Sequence, residues 1–151
     1  MTKLFLSLHV LAAVLTIGPV TVAAGMFPRA LRRAHSDPDG AEALTPLRIL
    51  HRICRVYAAV GMAVPVFGFA TAGSLGVLGS GWLIASIVLT AAAAAVLALL
   101  ILPAQEAALG AGRASVSGSA GRLALLTGVF NLLWATVTVL MIVRPGSTTG
   151  A

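Results

Sequence analysis

The stretch WLIASIVLTAAAAAVLALLILP, residues 82–103, carries no charged side chain and closes on Pro103. A helix rises about 1.5 Å per residue, so about 20 apolar residues cross a hydrocarbon layer about 30 Å thick. On length alone this run predicts a membrane-spanning helix. It has none of the two-residue alternation of a barrel strand, and inside lipid only helices and closed barrels satisfy their own backbone. Working outward, three further runs of the same kind lie at residues 4–27, 50–78 and 122–143. The second becomes fully apolar at Val56, after a basic lead-in. The expected fold is all-α, a polytopic four-helix transmembrane bundle forming one domain over residues 1–151.

Composition agrees. Of the 151 residues 59% are hydrophobic and 9% charged, with a mean hydropathy of +1.03. A soluble domain carries roughly 25% charged residues, so a water-facing surface cannot be drawn from this chain. That excludes a soluble enzyme, a nucleic-acid-binding domain and a disordered protein. The net charge of +6 imitates a nucleic-acid signature until the arginines are located between the apolar runs. The lone cysteine, Cys54, excludes an internal disulfide and a cysteine-based metal cluster.

The connections set the direction. Arg29, Arg32, Arg33, Arg48, Arg52, Arg55, Arg113 and Arg122 fall in or beside the first and third loops, leaving Lys3 and Arg144 on the opposite side. Short loops rich in Arg stay in the cytoplasm, so both termini are expected outside. Residues 36–40, Ser-Asp-Pro-Asp-Gly, predict a turn. The second loop, Gly79-Ser80-Gly81, predicts a tight hairpin of helices two and three; residues 104–121, rich in Gly, Ala and Ser, predict a flexible third loop. Lys3 followed by an apolar run and Val22-Ala23-Ala24 resembles a cleavable leader. The run is longer than the roughly 7–15 residues of a leader core and is followed by arginines, so it is expected to remain as the first span.

His9 is the principal chemical candidate. It lies about 7.5 Å inside the outer end of helix one, and ionisable residues at that depth usually face the bundle interior. Three roles are open to it: an imidazole bonded to a neighbouring helix, a ligand of haem or a metal ion, or a site of proton or quinone chemistry. Ser74, Ser86 and Thr138 fall near the same level and would form a polar layer with it if they faced inward. His51 stands near the inner surface, roughly 27 Å along the helix axis from His9. A metal–nitrogen bond is about 2 Å, so the two histidines cannot share one ion or haem in a monomer.

Arg48, His51, Arg52 and Arg55 follow i, i+3, i+4, i+7 spacing and predict one basic helical face. With Arg29, Arg32 and Arg33 it forms a cytoplasmic basic surface for anionic lipid headgroups, an anionic ligand or an acidic partner. Within the fourth span Asn131 is an intramembrane polar residue, with Thr16 and Thr127 as its expected partners. Trp134 predicts packing between helices, and Trp82 an interfacial aromatic. Gly18 and Gly25, Gly61 and Gly68, and the pair Gly68 and Ala72 predict close helix approach; Pro19 and Pro65 predict kinks. No nucleophile and base pair, carboxylate dyad or phosphate loop stands out, and the four acidic residues lie outside the spans.

The opening Leu8-His9-Val10-Leu11-Ala12-Ala13-Val14-Leu15, with Gly18 and Phe27-Pro28-Arg29 after it, resembles a group of small predicted integral membrane proteins of bacteria defined by a domain of unknown function. The ending Met141-Ile142-Val143-Arg144-Pro145-Gly146 is similar to that group's close. The group often shows Trp-Ile-Gly-Gly after the histidine; here Thr16-Ile17-Gly18-Pro19 stands. The resemblance implies a four-helix protein of the bacterial plasma membrane with no established activity. The first helix also resembles, more distantly, two histidine-led families. One is the HemJ-type protoporphyrinogen oxidase, whose Leu-Pro-Arg and following histidine are echoed by Phe27-Pro28-Arg29 and His35. That family places a functional lysine inside a membrane helix, whereas the sole lysine here is Lys3. The other is the CopD-like copper-resistance family. These likenesses imply haem or copper as cofactors if there is one.

The expected function is therefore a non-catalytic accessory or assembly subunit, homo-oligomeric or part of a larger membrane complex, without nucleic acid and without a cofactor. The alternatives are a haem-, copper- or quinone-handling protein that uses His9, and an oligomeric small-solute carrier.

Overall fold

The computed structural model describes residues 1–36, 44–110 and 116–146. They form six α-helices and one π-helical turn: α1 Thr2–Ser36, α2 Leu44–Val60, α3 Ala63–Leu75, α4 Gly81–Ala95, the π-turn Val96–Ile101, α5 Leu102–Gly110 and α6 Val116–Val143. No strand occurs among the described residues. The helices stack into four spans, α1, α2 with α3, α4 through α5, and α6, each long and apolar enough to cross a membrane. Only 11–28% of their apolar windows is buried inside the protein. Leu11, Val14, Val22, Val66, Phe69, Leu99, Leu132 and Ile142 are among the large side chains left exposed, far more apolar surface than a water-soluble monomer presents.

α1 is the longest element and the centre of the bundle. It packs against α2, α3 and α6, while α4 packs against α6 and the circuit closes at the arginine-bearing end where α5 meets α2. The main core lies at that end, built on Phe27, Leu31, Leu47, Cys54, Ile101, Leu123 and Phe130. A second, small cluster of Ala72, Trp82 and Leu83 lies at the turn between α3 and α4.

Three local features follow from the sequence. Gly61 and Met62 interrupt the second span: Pro65 has no N–H for the Gly61 carbonyl, which instead accepts from Val64 at 3.0 Å. A Cβ on Gly61 would stand 3.1 Å from the Tyr57 carbonyl oxygen, so the tightened turn depends on glycine. α3 ends at Gly76, at φ +67°, where the Val77 amide returns to Ala72 O at 3.2 Å, a left-handed cap that suits a residue without a side chain.

The third feature corrects the expected end of span three. Pro103 does not close the helix. The chain widens into the π-turn, in which the Leu102 amide reaches back to Leu97 O, and continues as α5 to Gly110. A wide turn just ahead of a proline accommodates its ring and its missing donor. Likewise α1 runs through Pro19 and Pro28 to Ser36. Helix therefore reaches Gly110, well inside the segment expected to be a flexible loop. Of the expected turn at 36–40, Ser36 is the last residue of α1, while 37–40 and part of the remaining third loop, with Arg113, lie outside the described residues. The second loop is also wider than expected. It runs from Gly76 to Ser80, and α3 and α4 make little direct contact beyond it because each packs on a different neighbour, α1 or α6.

Candidate functional site

Two histidines anchor polar contacts at opposite ends of the second span. His9, on α1, lies 2.9 Å through Nδ1 from the carbonyl oxygen of Val64 on α3. A carbonyl only accepts, so Nδ1 carries the proton and donates. The ring rests on Gly68: a Cβ there would stand 3.0 Å from Cε1 and 3.2 Å from Nδ1. The helix interruption, the proline and the glycine at 61, 65 and 68 thus shape one seat for one imidazole. Ala72 is buried one turn beyond.

The layer expected around His9 does not assemble. Ser74 and Thr138 are exposed and bond Ala70 O and Trp134 O of their own helices at 2.8 and 2.9 Å. Ser86 is fully buried and bonds Trp82 O at 2.8 Å. Each hydroxyl donates to the carbonyl four residues back, the usual solution for Ser and Thr in an apolar helix, and none of the three bonds the imidazole.

The second site, around His51, is absent from the sequence-based expectations. His51, Gln105 and Cys54 are all buried. His51 Nδ1 donates to Gln105 Oε1 at 3.0 Å, and Gln105 Nε2 donates to Cys54 Sγ at 3.6 Å. α2 supplies the histidine and the thiol one turn apart, and α5 supplies the amide that links them. This corrects the predicted basic face: Arg48, Arg52 and Arg55 are exposed, but His51 turns inward. The reason is a competing stripe, because Leu47, Leu50, His51 and Cys54 are also spaced i, i+3, i+4, i+7, and that set faces the core. Gln105 is hidden in the sequence because its segment reads as loop. The signal for it is Leu97, Ile101, Gln105 and Ala108, one buried stripe that continues through Pro103.

The remaining polar residues are structural in geometry. Thr16 bonds Ala12 O at 2.6 Å within α1, and Thr127 reaches across to Ala24 O at 3.5 Å. Asn131 pairs with neither, and its buried Oδ1 has no partner among the described residues. Trp134 meets Phe130 edge-on, with ring centroids 6.3 Å apart at 72°. Trp82 is buried rather than spread along an interface, and the Arg144 guanidinium sits 5.7 Å above its ring. Gly18 and Gly25 are exposed, and a Cβ on either would meet nothing within 4 Å, so their stripe mediates no close helix contact among the described residues.

Among the described residues no three His, Cys, Asp or Glu side chains gather closely enough to hold a metal ion. His9 offers one nitrogen, and His51 with Cys54 a second, separate pair of donor types. Arg29, Arg32, Arg33 and Arg122 are exposed at the same end of the bundle as Arg48, Arg52 and Arg55. The chain matches no protein-family model, no curated protein sequence and no solved structure.

Proposed function

We propose that this chain is a small integral membrane protein of the bacterial plasma membrane, with both termini outside and the arginine-bearing loops in the cytoplasm. Its role in this reading is non-catalytic: an accessory or assembly subunit packed against copies of itself or a larger membrane complex. The observation that carries the reading is how the polar groups of the spans are used. His9, Thr16, Ser86 and Thr127 each bond a backbone carbonyl, and His51 bonds a neighbouring side chain, so these groups tie helices or close on themselves. The apolar outer surface, by contrast, is extensive and open to other helices.

The test is crosslinking in native membranes followed by purification in mild detergent, with His9→Ala alongside. A stoichiometric membrane partner or a defined homo-oligomer, retained in a destabilised but assembled variant, supports the reading. A monomer that crosslinks to nothing overturns it.

One observation favours a second reading. A histidine whose Nδ1 donates to a carbonyl is oriented for ligation through Nε2, the usual arrangement around bound metals. A haem, copper or quinone-handling role through His9 predicts a chromophore or a metal that disappears in His9→Ala. A colourless, metal-free preparation from replete cells, with no quinone in its solvent extract, overturns this second reading.

A further inference from the structure

A groove of about 610 Å³ runs between α1 and α2 at the inner end of the bundle. Its walls are of two kinds. Met26, Ala30, Ile49 and Leu50 make an apolar floor, while Arg29 and Arg33 stand one helical turn apart on α1. Met26, Ile49 and both arginines are exposed. Glu106 is the sole carboxylate among the described residues, it belongs to α5, and it does not line the groove. Neither arginine pairs with a described residue, and the two cations flank an open apolar channel.

The geometry points to a seat for one anionic phospholipid, and we propose that this groove binds its phosphate between Arg29 and Arg33 with an acyl chain along Met26, Ala30, Ile49 and Leu50. Depth and chemistry agree. The apolar part of α1 ends at Phe27, so Arg29 and Arg33 fall at the headgroup level and Met26 at the edge of the hydrocarbon. Guanidinium groups match phosphate with paired N–H donors, and each basic residue near an anionic surface strengthens binding severalfold. A soluble anion would use the arginines but leave the apolar walls wet; an acyl chain covers them. The phospholipid is thus the occupant that uses both halves of the groove. This goes beyond the accessory role above and holds whether or not a partner protein exists.

The experiment uses the full chain purified in mild detergent, with retained phospholipid extracted and quantified, then delipidated protein titrated with short-chain phosphatidylglycerol, short-chain phosphatidylcholine and inorganic phosphate. Three variants are compared: R29Q/R33Q in the groove, R52Q/R55Q as an equal charge change on exposed residues outside it, and I49W, which fills the apolar half. The expected result is phosphatidylglycerol bound in preference to phosphatidylcholine, with roughly tenfold weaker binding in R29Q/R33Q. R52Q/R55Q changes it little, I49W weakens it without any charge change, and inorganic phosphate fails to compete at equal concentration. Equal losses in the two arginine pairs would mean a diffuse electrostatic surface and would overturn the seat. Competition by inorganic phosphate, or indifference to I49W, would overturn the lipid as occupant. Circular dichroism and gel filtration of each variant separate lost binding from lost fold.

Discussion

The imidazole of His9 lies against the bare Cα of Gly68, so close that a Cβ there would come within 3.0 Å of its Cε1. The contact joins the first span to the second and sets the ring where Nδ1 meets the Val64 carbonyl. Gly68→Ala is therefore expected to displace the ring and destabilise the bundle by about 1–2 kcal/mol, the scale of one broken hydrogen bond with some overpacking. Gly18→Ala supplies the contrast, since nothing stands within 4 Å of its Cβ position and alanine is the better helix former by about 1 kcal/mol. Thermal melts in one detergent check both. Equal losses from the two substitutions would refute the seat.

The buried amide of Gln105 is the second hinge of stability. Gln105→Ala leaves the His51 Nδ1–H without its acceptor in a dry setting, with an expected cost of about 1–3 kcal/mol. Because the two side chains meet directly, the double variant with His51→Ala should lose less than the sum of the singles. A coupling of about 0.5–1.5 kcal/mol in a double-mutant cycle is the expected outcome. Strict additivity would mean that the pair does not interact in the folded protein.

Cys54 gives a direct probe of the same region, being the one cysteine in the chain and fully buried. Its reaction with a maleimide has to wait for α2 and α5 to separate. Labelling in the folded state is expected to be at least about a hundredfold slower than in denaturing detergent, since local opening governs access. C54A/R55C moves the thiol to an exposed position and should label at nearly its denatured rate. Fast labelling of Cys54 itself would show that the core around it is open.

The four spans are legible because the bilayer makes a single demand, length of apolar helix, that residues 82–103 and the other runs meet openly. Helix ends are not, since proline stops helices only where nothing accommodates the missing donor; the π-turn does so at Pro103, and α1 passes Pro28 unbroken. His51 belongs to two stripes of identical spacing, and only the position of Gln105 on another span decides between them. The His9 site is half legible. The depth of His9 marks it, but its partner is a backbone carbonyl, which no side-chain pattern announces. The hydroxyl layer fails for a related reason: Ser74, Ser86 and Thr138 can each bond their own helix without help from the fold.

At the end of the bundle opposite His51 the Arg144 guanidinium lies 5.7 Å above the Trp82 ring, and Arg144 Nε donates to Met141 O at 3.2 Å. Arg144 takes a φ of +46°, an unfavourable region for a side chain of this size, immediately after α6 ends. The contact with Trp82 draws the end of the fourth span onto the start of the third, which α4 and α6 already pack together along their length. Arg144→Gln keeps a polar side chain but removes the cation, so it is expected to cost about 0.5–1 kcal/mol. Arg144→Gly removes the same attraction while relieving the left-handed backbone, and should cost less than Arg144→Gln. In a Trp134→Phe background Trp82 is the sole indole, and its emission reports the change directly. Loss of the cation is expected to shift that emission in both variants, whereas stability should separate them. Identical melts for the two would mean that the backbone at Arg144 carries no strain, and an unmoved emission would mean that the guanidinium does not rest on the ring.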